Sequence, residues 1–280
     1  MRKSGSARES WLDRRRRRCA AWLGAAFHAV PTPPGAAVAL MCDCDGRFAV
    51  GNGGLLSAAG LDALLSMLDR RKARITFNVV ADLCRTDAQC VGRILSAGHE
   101  IACHGWKHER PRELSSDELD LMLRNALADF ATLGLRPRGF RSPESAWSLA
   151  LLKRLPEHGF VWNAERDPAA RPYRIIRGLI RIPVRTDDWD LFDQGAEPAA
   201  LLQRWTCHLP PVGQAGTICF GLHEWTLGRF GDFAGLLENW IVQTQGRVST
   251  SLTTLSDIAT AWPLPAGRCA APRPSSGLRG

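Results

Sequence analysis

The sequence predicts an α/β barrel, a ring of parallel strands wrapped by helices. Three observations point there. Short apolar runs alternate with segments of helical periodicity along most of the chain, which is the pattern of βαβ units with parallel strands. Their number suits a barrel better than an open doubly wound sheet, and neither a glycine-rich GxGxxG turn nor a P-loop is spelled. The polar clusters follow the apolar runs directly, and barrels carry their chemistry on loops at the carboxyl ends of their strands.

The elements follow in order. Residues 36–42, Ala-Ala-Val-Ala-Leu-Met-Cys, form a buried strand ending in Asp43-Cys44-Asp45-Gly46. Leu61, Leu64, Leu65 and Leu68 recur at helical spacing and define a helix over 60–72. A strand is expected at 75–80, a short helix at 91–97 closed by Gly98, and a strand at 101–103 followed by a histidine-rich turn. Ser115-Ser116-Asp117-Glu118 spells a capping box, with the Ser115 hydroxyl accepting from an early helical N–H and Glu118 reaching back. The helix it opens carries Leu119, Met122, Leu123, Ala126, Leu127 and Phe130 on one face and closes at Gly134. Further strands are predicted at 139–141, 160–163, 179–184, 217–222 and 248–252, and helices at 149–155, 233–244 and 255–262. No internal repeat is present.

The 280 residues are 45% hydrophobic and 23% charged, a globular composition, and no apolar run approaches the roughly 18 residues of a membrane-spanning helix. The formal charge of +8 invites a nucleic-acid reading, but its distribution argues otherwise. Residues 1–20 hold eight basic and two acidic side chains, and residues 263–280 hold three arginines and no acid, so the body between them is close to neutral. The chain divides into a basic arm with a Pro-rich linker (1–35), one catalytic-sized domain (36–262) and a basic tail of disordered composition (263–280). An anionic-surface or nucleic-acid binder using Arg14 to Arg18 is the reading of another class; its charge lies outside the segment that carries the motifs, so no specific nucleic acid is expected.

Nine cysteines without any CxxC pair argue against a zinc ribbon or a secreted disulfide framework, and reduced thiols favour the cytoplasm. Arg14 to Arg18 followed by an alanine-rich apolar stretch is also the order of a secretion signal, so export stays open; the simpler reading is a solvated basic arm leading into a short helix.

Five polar clusters close successive strands. Asp43 and Asp45 are two apart, so on a strand both carboxylates face one way and Cys42 and Cys44 the other. His104 and His108 are four apart, a spacing that on a helical turn lets both imidazoles chelate one metal. Arg141-Ser142-Pro143, Asp187-Asp188-Trp189 and Leu222-His223 follow. Each alone is an ordinary loop feature; in this order, at successive strand ends, they form a constellation.

With these motifs the chain resembles the polysaccharide deacetylase family, the NodB-homology or carbohydrate esterase family 4 group, over about residues 37–262. Cys42-Asp43-Cys44-Asp45-Gly46 stands at the first motif, and Gly98-His99-Glu100-Ile101-Ala102-Cys103-His104-Gly105-Trp106-Lys107-His108 is the closest match, at the second. Phe140-Arg141-Ser142-Pro143, Asp188-Trp189 and Leu222-His223 stand at the third to fifth. The Asp-x-Asp spacing is similar to the branch of peptidoglycan deacetylase-like, allantoinase-like and aminoarabinose deformylase proteins. The resemblance implies a distorted (β/α)7 barrel and a hydrolase of carbon–nitrogen bonds other than peptide bonds, removing an N-acyl group from an amino sugar, small or oligosaccharidic. A deformylase or cyclic-amide hydrolase on the same site is the alternative. It implies that Asp45, His104 and His108 hold a divalent metal, zinc by its ligand set. Asp43 would be the base, Arg141 its partner, His223 the acid and Asp188 its orienter. Trp189, Glu144 and Pro143 would meet the substrate. Glu144 departs from the family pattern, which has an aromatic residue there in many members.

Overall fold

The computed structural model describes residues 11–29, 36–48, 58–193, 195–248 and 252–260. Its strands are β1 (Ala36–Cys44), β2 (Thr76–Val79), β3 (Glu100–Cys103), β4 (Gly139–Arg141), β5 (Trp162–Arg166), β6 (Tyr173–Ile176), β7 (Leu179–Asp187), β8 (Gly216–His223) and β9 (Leu252–Thr253). Seven of them close a parallel ring in the order β1-β2-β3-β4-β5-β7-β8 and back to β1. The antiparallel β6 hangs on β7, and β9 pairs with β1 at Val38 and Ala39. The predicted barrel is the observed one.

The helices are α1 (Trp11–Phe27), α2 (Ala58–Arg70), α3 (Leu83–Thr86), α4 (Ala88–Ser96), α5 (Ser116–Ala131), α6 (Leu149–Glu157), α7 (Asp190–Asp193), α8 (Pro198–His208), α9 (Glu224–Arg229), α10 (Phe233–Val248) and α11 (Leu255–Thr260). The capping box of α5 forms as read, with both Ser115 and Glu118 engaged. No helix among the described residues is long and apolar enough to cross a membrane.

Strand alternation separates two apolar sets. Val38, Leu40, Cys42 and Cys44 of β1 face outward into the main core, with Leu61, Leu64 and Leu68 of α2. Ala39 and Met41 face inward and fill the barrel with Trp162, Ala164, Ile180, Ile182 and Cys219. Asp43 continues that inward row at the carboxyl end of β1. The interior narrows at Gly139, where a Cβ would stand 1.8 Å from the Trp162 ring. The amino-terminal mouth is plugged by α11, whose Leu255, Ile258 and Ala259 join the interior set. Glu100 binds the plug by accepting from Thr76 Oγ1 (2.6 Å) and Ser256 N (3.1 Å), and Trp162 Nε1 donates to Ser256 Oγ (2.9 Å).

Several elements depart from the sequence reading. The strand expected over 160–163 begins at Trp162 and runs to Arg166, because Gly159 (φ +88°) and the Phe160 N–H to Leu155 still belong to the end of α6. β7 runs three residues further than expected, to Asp187, since its last turns are polar rim and not apolar core. Val248 ends α10 instead of opening a strand, and β9 is confined to Leu252–Thr253 among the described residues. β6, α3, α7, α8 and α9 were not anticipated. The expected linker at 31–35, the ends of the last strand and helix, and the tail from 263 lie outside the described residues. The eight described cysteines are free thiols, five of them buried, in keeping with their reading as small apolar residues.

Candidate active site

The seven parallel strands bring all five polar clusters to one mouth. Asp43 ends the inward row of β1 and Asp45 follows the strand, so both reach the mouth while Cys42 and Cys44 stay in the core. His104 follows β3 directly. His104 and His108 do not lie on a helical turn as the spacing suggested. Their segment is a loop that turns at Gly105 (φ +80°) and brings His108 back in a left-handed conformation (φ +59°). Glu109 holds it by accepting from Trp106 N (3.1 Å) and Lys107 N (2.8 Å), while Gly105 O accepts from Ala81 N (3.1 Å).

Asp45 Oδ1 lies 3.4 Å from His104 Nε2 and 3.4 Å from His108 Nε2. That oxygen is buried and has no hydrogen-bond partner among the described residues, an arrangement that costs free energy unless a cation or proton meets it. His104 Nδ1 sits 2.8 Å from the carbonyl of Arg141, so Nδ1 donates there and Nε2 is the ring atom that faces Asp45. His108 stacks on Phe48, with ring centroids 6.0 Å apart. Burial pushes the Asp45 carboxyl up, but the His104 and His108 imidazoles hold it well below the usual range. Burial pushes His104 down, and Asp43 and Asp45 outweigh it and raise it. The trio therefore draws positive charge into its centre, and its nitrogen and oxygen donors fit a divalent metal with three protein ligands.

Asp43 stands beside this trio, with Oδ2 4.0 Å from His104 Nε2. Its Oδ1 accepts from Asn78 Nδ2 (2.6 Å) and its Oδ2 from Arg141 Nε (3.3 Å). Burial would raise this carboxyl; Arg141, then His104 and His223, outweigh burial and lower it. Arg141 is itself buried and also faces Glu165 (3.5 Å) and Asp187 (3.7 Å). Glu165 accepts from Ser142 N (3.1 Å), which pins the loop after β4.

His223 ends β8 opposite. Asp188 grips it twice, accepting from the backbone N (2.7 Å) and meeting Nδ1 at 2.6 Å, while Thr226 Oγ1 donates to the same carboxylate (2.6 Å). Nε2 is thereby aimed into the mouth, 3.9 Å from Asp45 Oδ2. Burial pushes the His223 ring down, but Asp188 carries it well above the ordinary histidine range. Asp187 and Asp188 are adjacent and so diverge. Asp187 faces the cavity, accepts from Arg166 Nε (2.9 Å) and holds Trp189 N (3.2 Å). Only glycine fits at Gly221 behind it, since a Cβ there would lie 2.7 Å from the Asp187 Cβ.

Trp189 forms one wall of the resulting cavity of about 440 Å³, its ring 6.0 Å from that of His223. Glu144 stands at the rim in a left-handed conformation (φ +53°) with its carboxylate on Arg110 Nε (3.0 Å). Pro143 does not line the cavity; it is buried, 3.6 Å from where a Gly105 Cβ would stand, and shapes the backbone that carries Glu144. The sequence reading missed Phe48, Asn78, Glu165, Arg166 and Thr226. Arg166 and Glu165 were lost with the misplaced end of β5. Asn78 was legible as an inward position of a strand, one residue off the apolar alternation.

Barrel and mouth together define an α/β-barrel protein with a carboxylate–imidazole centre at its carboxyl end. A sequence model of the polysaccharide deacetylase family matches residues 34–162, which hold Asp43, Asp45, His104, His108 and Arg141. The class is that of hydrolases acting on carbon–nitrogen bonds other than peptide bonds. Among solved structures, the chain is similar to a Mycobacterium smegmatis protein assigned as a polysaccharide deacetylase (24% identity, TM-score 0.72, covering 84% of this chain and 93% of that one). It is also similar to the peptidoglycan deacetylase PdaC of Bacillus subtilis (19%, TM-score 0.55, covering 81% and 92%). A third likeness is to a carbohydrate esterase family 4 pseudoenzyme of Bacillus anthracis (17%, TM-score 0.58, covering 81% and 69%). At these identities the likenesses speak for the fold, and the presence of a pseudoenzyme among them leaves activity to the site. No curated protein matches the chain.

Proposed function

We propose that the protein is a metal-dependent amide hydrolase that removes an N-acyl group, N-acetyl foremost, from an amino sugar or a molecule containing one. The observation that carries this reading is the buried, unpartnered Asp45 Oδ1 between two imidazole Nε2 atoms at 3.4 Å, with Asp43 and His223 flanking the same cavity.

Asp45, His104 and His108 would hold the metal, and zinc suits one carboxylate and two neutral imidazoles. When bound, such an ion polarises the amide carbonyl and acidifies water. Asp43 takes the proton of the attacking water. It is ionised at neutral pH, and Asn78 and Arg141 fix its two oxygens so that it stays aimed. The Glu144 N–H, set by the turn after Pro143, is offered to the oxyanion. His223, held charged by Asp188, gives its proton to the departing amine nitrogen as the carbon–nitrogen bond breaks. Asp188 acts through the imidazole and is a positioning residue. The products are a free amine and a short carboxylic acid. Trp189 offers an apolar wall to the acyl methyl or a sugar face, and a cavity of about 440 Å³ takes one pyranose with its acyl group.

The test pairs metal content with product. Purified protein is expected to hold about one divalent metal per chain and to release acetate with a stoichiometric new amine from N-acetylated amino sugars or chito-oligosaccharides. Formate release from N-formyl sugars, or opening of cyclic amides, with no acetate would move the assignment to the deformylase or cyclic-amide alternative. Full metal content in the His104→Ala, His108→Ala double variant would misplace the site.

A further inference from the structure

The helix α1 lies outside the barrel and outside the reaction just proposed, and its exposed surface sets aromatic rings among arginines. One of its faces is docked. Gly24 packs so closely on β6 that a Cβ would meet the Tyr173 ring at 2.7 Å, and the Arg17 guanidinium lies 4.9 Å from the centre of the Trp147 ring. Just beyond the helix, His28 O accepts from Arg174 N (3.0 Å) and Ala29 bridges to Tyr173. Arg17, Ala21, Gly24 and Ala25 thus form the inward row at 3–4 spacing.

This docking decides what the opposite face must show. Trp11, Trp22 and Phe27 are 65%, 66% and 70% exposed, with Leu12 and Leu23 beside them at 56% and 48%. A helix free to roll would hide these side chains; this one is pinned by its other face. Arginines interleave the aromatic rings: Arg15 lies over Trp11 (5.2 Å), and Arg14, Arg15 and Arg18 line a shallow depression of about 390 Å³ between Trp11 and Trp22. The helix holds five consecutive arginines against the single acid Asp13, and the sequence before it adds Arg2, Lys3 and Arg8 against Glu9.

We infer that α1 is an interfacial anchor that lays its outward face on an anionic lipid surface. The chemistry fits that occupant over the other polyanions. A nucleic acid would satisfy the arginines but leave Trp11, Leu12, Trp22, Leu23 and Phe27 in water. A bilayer surface meets both needs, with phosphate headgroups on the guanidiniums and the headgroup–acyl boundary receiving indole, phenyl and leucine side chains. The arrangement holds the barrel at a membrane by one docked helix that lies along the surface.

The test uses the full chain with vesicles of phosphatidylcholine alone and of phosphatidylcholine with 30% phosphatidylglycerol, read by co-sedimentation. Binding is expected to the anionic vesicles and not the neutral ones, and to weaken as salt rises. Trp11→Ser with Trp22→Ser is expected to weaken it at least tenfold. Arg15→Gln, Arg16→Gln and Arg18→Gln together are expected to weaken it about a hundredfold, at roughly fivefold per charge near the surface. Both variants leave thermal unfolding and hydrolysis of a soluble substrate unchanged. Failure to bind anionic vesicles overturns the inference. So does binding that ignores the tryptophan variant while duplex DNA competes equally, which makes the helix a general polyanion site, and so does burial of Trp11 and Trp22 in a homodimer that excludes vesicles.

Discussion

The two mouths of the barrel are both polar and differ in how their polar groups are met. At the amino mouth Glu100, Thr76, Ser256 and Trp162 bind one another and the α11 backbone. At the carboxyl mouth Asp45 Oδ1 has no hydrogen-bond partner among the described residues; His104 lies within 4.0 Å of it and of Asp43, and His223 lies 3.9 Å from the other Asp45 oxygen. Polar groups that satisfy each other stabilise a fold; polar groups left facing a shared cavity are poised for something that arrives from outside. The lower mouth closes the molecule, and the upper one is where the proposed chemistry would take place.

The sharpest way to break that contrast is at Asp43. Asp43→Asn is expected to cost roughly 10³-fold in kcat, within the range of a lost general base. Metal content and thermal stability should stay near wild type, because the amide keeps the shape and the proposed ligands are Asp45, His104 and His108. An Asp43→Asn protein that turns over normally would remove Asp43 as the base.

At the other mouth the largest effect should fall on stability. Gly139→Ala places a methyl inside the Trp162 ring, which is fully buried and tied to Ser256, so Trp162 must leave its position and release the plug. We expect a loss of about 3 kcal/mol, at the upper end of overpacking costs, measured by urea unfolding. The per-site rate of the folded fraction should be nearly unchanged. A tolerated alanine would show that α11 is not seated as described.

Asp188→Asn tests the upper mouth more finely. The amide can still meet His223 but no longer stabilises its charged form, so kcat should drop roughly 10²-fold with KM little changed, as for a group acting only through the acid. Equal losses in Asp188→Asn and His223→Gln, with no further loss in the double variant, would bind the two into one unit.

What the sequence disclosed and what it withheld divide along the same line. Asp43, Asp45, His104, His108, Arg141, Asp188 and His223 were readable because each closes an apolar run, and in a parallel barrel all such ends meet at one mouth. The ring itself was readable from its alternation. Arg166, Glu165 and β6 were not, because the segment after Gly159 mixes polar and apolar residues with no fixed period, and the end of β5 could be placed only by its pairing with β7. The histidines were expected in a turn after β3, with a spacing that would also suit one helical turn; a loop closed by Glu109 brings them together. Pro143 was assigned to the substrate, whereas its work is to carry the backbone of Glu144. Spacing reveals which residues recur; it does not reveal which backbone delivers them.

The smallest expected effect lies at His99, below the site, where a histidine of the second motif is structural. Its ring is buried beside Phe77 (5.2 Å) and accepts from Ile75 N at 3.5 Å. Burial, aided by the nearby Arg74 charge, pushes it down to about 4. The folded state therefore keeps this imidazole neutral where the unfolded chain, with an ordinary value near 6.5, binds a proton. Its contribution is complete above about pH 6.5 and is lost as pH falls towards 4. His99→Gln should thus narrow the difference in urea midpoint between pH 7 and pH 4.5 relative to wild type, with other carboxylates cancelling in the comparison. An unchanged difference would mean that His99 is already protonated in the fold, and that the second motif holds three histidines of one kind instead of two that face the cavity and one that supports the strand beneath them.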